Sequence, residues 1–537
     1  MAVPDFSCCS FCSLSLILDR ELLSHCAGTA DIITYNGPDT LFSLKGKRLK
    51  GTDLNVTIIS VNQSNTPVPV VPYGTCVAAE SASRQGHEVR FLDLMFSRNP
   101  TGLVTSSLRR YPPDVVGLSV RNLDNNDMLK PVEYVSGLVR ITDAVRASTD
   151  ATIVLGGSAM AVMPESLLRT TGADFGVVGD GETVFPRLLQ ALSGKGDLTV
   201  VPRIARIDGE KYTVSGNGPM PLKADPGLIA PDYARWITTR AYLSRMAAIP
   251  IQSKRGCPFP CVYCTYGAGE GRDYRLFPPG TVVQAVEMLL RQGFRDIEFV
   301  DNVFNSPLEH AMEICEGIAG SGTRARFHTL ELNPKFVDLP LLRAMETAGF
   351  RGIGITAESA ADQVLDGLAK GYTSRDVQNA AAAVQRSSMP CLWVFMLGGP
   401  GETRETASET VRFATDVVRK HDAAFFNVGI RIYPETELET IARREGVLQV
   451  PADEMVKPAF YFSPELEVGW VMELLGRTAR KHMNILYSAQ ALDHPLLPFI
   501  NRIAGLSRIP QPLWRHTSTI RKILRLMGQD IGQGERR

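Results

Sequence analysis

The sequence lacks any surplus of charge: Lys and Arg total 57, and so do Asp and Glu, for a formal net charge of zero. A chain that grips nucleic acid through its phosphates needs excess positive charge, so no nucleic-acid partner is expected. Long apolar runs are missing as well. No stretch reaches the roughly 20 uninterrupted apolar residues that cross a bilayer, so no transmembrane segment is expected. Residues 11–18 are apolar, but no basic stretch precedes them and Asp19, Arg20 and Glu21 follow at once. That pattern argues against a secretory signal and for a cytoplasmic protein. Cysteine is sparse: ten in 537 residues are too few for a disulfide scaffold.

The chain is ordinary in composition, with 44% apolar and 21% charged residues. It is too long for one core, so two or three domains are expected. Residues 1–53 show no periodicity and read as an N-terminal extension. Cys8, Cys9 and Cys12 cluster there without strand or helix logic, and no metal role is assigned to them.

From Asn55 short apolar runs alternate with helical patterns up to about residue 195, predicting a doubly wound parallel sheet. Residues 196–245 are richer in turns and Pro, with a small hairpin around 201–214, and read as a linker. Over 246–450 six further strand–helix units predict a partial (β/α)6 barrel, whose functional residues belong at the carboxyl ends of its strands. Residues 451–537 read as a mainly helical C-terminal region. Its last helix carries Arg515, Arg521, Lys522 and Arg525, a pattern of either a surface-binding basic helix or a packed terminal one.

Three of the ten cysteines fall within eight residues: Cys257, Cys261 and Cys264, directly after the first barrel strand. Thiolates are the usual ligands of iron–sulfur clusters, and a short loop can wrap three of them around one cubane. The spacing is not that of zinc sites, and no fourth Cys or His follows nearby as a closed zinc site needs. Three ligands leave one iron open.

The segment 253–264, with Tyr263 before the last cysteine, resembles the CxxxCxxC loop of the radical S-adenosylmethionine (SAM) superfamily. The resemblance extends over roughly 247–450. Phe299 to Phe304 resembles a strand-end motif near the SAM amino group, although Asn302 replaces a commonly acidic residue. Gly354 to Ser359 resembles a strand ending in Glu-Ser that faces SAM. Leu397 to Thr403 resembles a Gly-Pro-Gly-Glu-Thr turn, and Arg431 to Thr436 the closing strand, with Glu435 where Gly is more usual. The resemblance implies a 4Fe-4S cluster on Cys257, Cys261 and Cys264. It places SAM against Tyr263, Asp301, Asn302, Glu358, Ser359, Gly398 and Arg431.

The first domain has glycine turns at two strand ends, Gly156-Gly157-Ser158 and Gly179-Asp180-Gly181-Glu182. A doubly wound sheet binds ligands at such ends, and glycine lets a bulky ligand approach the backbone. With the Pro-rich loop into Pro72-Tyr73-Gly74 and with Gly86-His87-Glu88-Val89, these resemble the cobalamin-binding domain of one large class of radical SAM enzymes. That resemblance implies cobalamin near Ser119, Arg121, Gly156, Gly157, Ser158, Gly179, Gly181 and Glu182. No His lies between Asn55 and Gly86, so it implies cobalamin without a histidine lower ligand. Residues 121–127 either face the corrin or substrate, or form a polar loop that caps the next helix.

A cobalamin-dependent radical SAM methyltransferase acting on a small molecule is therefore expected. One SAM would generate a deoxyadenosyl radical, cobalamin would deliver the methyl group, and a flavodoxin- or ferredoxin-like protein would supply electrons. The rivals are a cyclase or oxidoreductase of the same architecture, a methylthiotransferase, which would need three more cysteines upstream of the barrel, and a non-catalytic cobalamin sensor.

Overall fold

The computed structural model describes residues 53–216, 222–487, 496–507 and 509–528. Cys8, Cys9, Cys12 and nearly all of the N-terminal extension lie outside the described residues.

The first sheet contains β1 (Asn55–Ser60), β2 (Glu88–Asp93), β3 (Val115–Ser119), β4 (Thr152–Gly156), β5 (Phe175–Val177), β6 (Ile204–Asp208) and β7 (Lys211–Val214). Its order is β2-β1-β3-β4-β5-β6-β7, parallel through β5 and then antiparallel. The order reverses between β1 and β3, which makes their carboxyl ends the switch point where such sheets hold ligands. The central strands are buried because helices cover both faces: five of the six residues of β1 are buried. The hairpin expected inside the linker is β6–β7, and it completes this sheet. The segment after it packs back on the same domain, with Trp236 Nε1 donating to Glu80 at 3.0 Å and the Tyr242 hydroxyl to Asp93 at 2.7 Å.

The second domain starts at β8 (Ile249–Ile251), followed by two short strands, β9 (Lys254–Arg255) and β10 (Arg275–Leu276), paired antiparallel. Then come β11 (Asp296–Phe299), β12 (Arg326–Leu332), β13 (Phe350–Glu358), β14 (Cys391–Leu397) and β15 (Ala423–Val428). An antiparallel pair follows, β16 (Ile430–Ile432) with β17 (Ala459–Tyr461), and lastly β18 (Ile485–Tyr487). The barrel sheet runs β18-β15-β14-β13-β12-β11-β8, all parallel. It has seven strands rather than six. The seventh, β18, comes from the region expected to be helical, because a three-residue strand has too little period to be recognised alone.

Alternation along β14 shows how the barrel sorts its side chains. Cys391, Trp393, Phe395 and Leu397 are buried, and Phe395 meets Phe413 of the covering helix edge-on at 6.3 Å. Leu392, Val394 and Met396 are only partly buried and take the opposite face, toward the lumen. Between the sheet and its helices, Phe299, Phe304, Phe327 and Phe350 pack ring against ring at 4.9–5.8 Å.

The C-terminal segment closes the amino end of the barrel. A Cβ on Gly352 would sit 3.0 Å from Pro512 and 3.1 Å from Trp514. The last helix spans Thr517–Leu526 and leaves Arg515 in the turn before it; its Arg521 is wholly buried and donates to the carbonyls of Ala479 at 3.0 Å and Ile485 at 2.9 Å. The helix is thus packed on the side that carries Arg521. Replacing Arg521 by Ala would orphan these buried acceptors and should cost about 3 kcal/mol of stability. Urea unfolding of the apoprotein measures this, and an unchanged midpoint would refute it.

Candidate active site

The loop with the three cysteines lies between β9 and β10, and its backbone is tightly specified. Gly256 has φ +83°, and a Cβ there would sit 2.1 Å from the Asp273 carbonyl, so no other residue fits. The N–H of Cys257 donates to Gly271 at 3.1 Å and that of Cys264 to Cys261 at 3.1 Å. Val262, between them, donates to Leu368 at 3.1 Å and accepts from Leu438 at 2.9 Å. Cys257 is buried, while Cys261 and Cys264 are partly open. Burial pushes the Cys257 thiol up and the Cys264 thiol up to about 11, and for both the neighbouring thiols add to the rise. The three thiols lie close enough to influence one another, and iron would have to displace their protons. Among the described residues no His, Cys, Asp or Glu trio gathers tightly enough for a single metal ion. A cubane binds its three thiolates through three different irons and needs no such trio.

Two barrel residues expected at SAM hold this loop. The Asp301 carboxylate accepts from Ser253 N at 2.7 Å, Ser253 Oγ at 2.6 Å and Lys254 N at 3.2 Å. Asn302 donates to Glu270 Oε2 at 2.7 Å, which also accepts from Gly256 N at 3.0 Å.

A second group lies at the end of β13. The Tyr263 hydroxyl donates to Glu358 Oε1 at 2.7 Å, and Lys370 Nζ reaches Glu358 Oε1 at 3.1 Å and the Tyr263 oxygen at 2.9 Å. Burial works against the Lys370 charge, but Glu358 and Tyr263 outweigh it and hold the ammonium ionised. Glu358 Oε2 is buried and accepts no hydrogen bond within the protein. Ser359, by contrast, is committed: its Oγ meets Thr410 at 3.0 Å and accepts from Ala361 N at 3.1 Å. Gly398 has φ +97°, and a Cβ there would strike Phe462 at 2.4 Å, so packing against that ring demands glycine.

Sequence reasoning missed Glu298, His328 and Glu331. Glu298 and His328 are register partners on β11 and β12, with Nε2 and Oε1 3.8 Å apart. Burial pushes Glu331 up to about 8, and the nearby Glu358 adds to the rise. Charged residues inside otherwise apolar strands were the available signal.

The first domain meets the barrel at two places. Arg431, expected at SAM, donates from Nε to Asp124 at 2.7 Å and from Nη2 to the Met455 carbonyl at 2.7 Å. The Tyr433 hydroxyl donates to Asn126 at 2.8 Å, so Asp124 and Asn126 dock on the barrel. At the second place the turn after β5 touches the cysteine loop. Arg255 donates to Asp180 at 2.8 Å and to Glu182, and Arg275 donates to Asp180, at 3.2 Å from Nη2. The Glu182 carboxylate, expected at the corrin, is spent on Arg255. Gly179 is crowded by Arg203 and the Gly269 carbonyl, while a Cβ on Gly181 would meet only Ala78 at 3.7 Å.

The other corrin candidates divide by their surroundings. Ser119 accepts from Thr75 Oγ1 at 2.7 Å, and Ser158 Oγ donates to the Arg121 carbonyl at 2.6 Å. A Cβ on Gly157 would strike the Val120 carbonyl at 2.4 Å, whereas one on Gly156 would point into open space. Arg121 and Tyr266 are exposed, the latter by 51%, yet burial lowers the Arg121 pKa and raises that of Tyr266.

Two family models match: the radical SAM superfamily over residues 251–414, and the B12 binding domain over residues 59–189. A tryptophan 2-C-methyltransferase from Streptomyces laurentii is 25% identical over 440 residues, covering 70% of this chain and 73% of that protein. A hopanoid C-3 methylase from Methylococcus capsulatus is 30% identical over 262 residues, 48% of this chain and 47% of the relative. The structure of the radical SAM methyltransferase TsrM from Kitasatospora setae, with cobalamin and a 4Fe-4S cluster bound, shares the fold. Its TM-score is 0.78 at 20% identity, over 88% of this chain and 99% of that one. The chain thus joins a B12 binding domain to a radical SAM domain, and it is similar over most of its length to cobalamin-dependent radical SAM methyltransferases.

The two matched domains imply a 4Fe-4S cluster, SAM and cobalamin as cofactors, and the residues present suit them. Three thiols on one short loop suit the cluster. The unmatched Glu358 oxygen suits a ligand with N–H or O–H donors, as SAM has. The open ground over Gly156 suits a broad ring. No helix among the described residues is long and apolar enough to cross a membrane.

Glu402 closes the turn after β14 by accepting from the N–H groups of Gly398 and, at 3.1 Å, Gly399. Burial pushes its carboxyl from the usual 4.5 up to about 7, against the pull of those two donors. The folded state then binds this proton more tightly than the unfolded chain, so the Glu402 contribution to stability falls as pH rises between those values. Glu402→Gln should flatten the decline. Denaturant midpoints across that window test it, and equal slopes in both proteins would refute the assignment.

Proposed function

We propose that the protein transfers a methyl group from SAM, by way of cobalamin, to an unactivated carbon or a phosphinate phosphorus of a small molecule, in specialised-metabolite or antibiotic biosynthesis. One observation carries the reading: the cysteine loop is lodged between the carboxyl ends of two parallel sheets, each within a cofactor-binding domain. The two relatives are named for methylation at carbon, which favours carbon over phosphorus. When bound, the cluster and SAM supply radical chemistry and cobalamin carries the methyl group.

The chain's own groups position and shield. Cys257, Cys261 and Cys264 would hold the cluster. Glu358 turns its free oxygen to a donor of SAM, while Tyr263 and Lys370 hold its other oxygen and neutralise it. Asp301 and Asn302 act on SAM through the loop they hold. Gly156 and Arg121 are assigned to the cobalamin side, and Glu298, His328 and Glu331 to the methyl acceptor. Pro512 and Trp514 close the far end of the lumen, which keeps water from a reactive intermediate. A flavodoxin- or ferredoxin-like donor in the cytoplasm completes the scheme.

After anaerobic reconstitution, replacing the three cysteines together by Ala should abolish the broad visible absorption of the cluster. Persistence of that absorption would overturn the ligand assignment. Methyl-labelled SAM should pass its label first to cobalamin and then to a small-molecule product. An unlabelled product formed with consumption of SAM would replace this reading with a cyclase or oxidoreductase.

A further inference from the structure

The turn Gly179-Asp180-Gly181-Glu182 stands at the edge of the first sheet where a ligand is expected, yet its charges face the other domain. Arg255 lies two residues before Cys257, and Arg275 lies on the strand that pairs with it. Asp180 accepts from both guanidinium groups, and Glu182 also accepts from Arg255. All four side chains are nearly shut off from water, at 6–13% exposure. Two positive and two negative groups balance, so the cluster of charge is neutral as a whole.

The same face makes further contacts with the loop. Arg203 donates to the Gly269 carbonyl at 3.1 Å, and a Cβ on Gly269 would come within 2.9 Å of Ala161. Residues 254–276 are therefore gripped on one side by the barrel, through Asp301, and on the other by the first domain, through Asp180. Buried ion pairs add little net stability because desolvation offsets their attraction, but they tolerate one geometry only. Such a device suits holding a distance better than holding a fold.

We propose that Asp180 is a positioning residue: through Arg255 and Arg275 it sets how far the cysteine loop stands from the carboxyl edge of the first sheet. It thereby fixes the separation across which the methyl group passes. This rests on the reading that SAM and cobalamin meet here. Asp180 itself touches neither cofactor and acts through the two arginines.

The test uses the reconstituted full-length enzyme as wild type, Asp180→Asn and Arg275→Lys, with Asp208→Asn, at an exposed pair, as the control. Two readouts are taken besides iron and cobalamin content: amide hydrogen exchange, and SAM consumed per labelled methyl group delivered to cobalamin. Both positioning variants should keep their iron and cobalamin. Exchange over 254–276 should quicken at least about tenfold while the strands of the first sheet stay protected. SAM consumption per methyl group delivered should rise several-fold. Exchange no faster than in the control, or faster equally in both domains, would overturn the proposal. So would faster exchange with an unchanged SAM ratio, which would leave the clasp structural only. Loss of cobalamin with an unchanged loop would make Asp180 a corrin contact instead. If wild type passes no label to cobalamin, the proposed function fails, while the exchange data still decide whether the clasp exists.

Discussion

A loop that presents three thiols to one cubane cannot make a hydrophobic core of its own, so its shape has to be imposed from outside. Buried carboxylates on both sides do this. Asp301 takes the backbone and hydroxyl of Ser253 and the N–H of Lys254 before the cysteines, and Asp180 takes the guanidinium groups of Arg255 and Arg275 on either side of them. Each carboxylate loses hydration on burial and regains it as directed hydrogen bonds, which only the native arrangement supplies. Removing either would leave donors unpaired in a dry place.

The rest of the architecture follows from which ends of the sheets face each other. In both domains parallel strands deliver their loops to one edge, and these two edges are the surfaces that meet. Arg431 with Asp124 closes the junction near the last barrel strands, and Arg255 with Asp180 closes it near the first. The opposite end of the barrel has no chemistry to serve, and the C-terminal segment packs into it through Pro512, Trp514 and Arg521.

Much of this was legible in the residue order. Apolar runs of strand length between helical patterns marked two parallel sheets, and the helices over 279–291, 339–348 and 374–385 were recognisable from their period. What failed were short or ambiguous elements. Strand β18 has three residues, and the hairpin β6–β7 looked like linker because a strand pair says nothing of the sheet it joins. Within the site, residue types drew attention to loops and strand ends but not to the partners their side chains take. Arg431 and Glu182 were expected at cofactors, and both carboxylate–guanidinium pairs they form cross between domains. Separations in sequence of 73 and 307 residues leave no local trace of such pairing.

By itself the sequence determined the chemistry on offer: three thiols at a spacing that fits a cubane, and two sheets ending in polar or glycine-rich turns. These follow from local rules, since spacing, backbone freedom and period act over a few residues. Only the tertiary structure decided which groups remain free for ligands and which are spent within the protein. Glu358 keeps one oxygen unmatched, while Asp301, Ser359, Glu182 and Arg431 are satisfied from within. A buried polar group must find its partners wherever the fold brings them, and that depends on surfaces far apart in the chain.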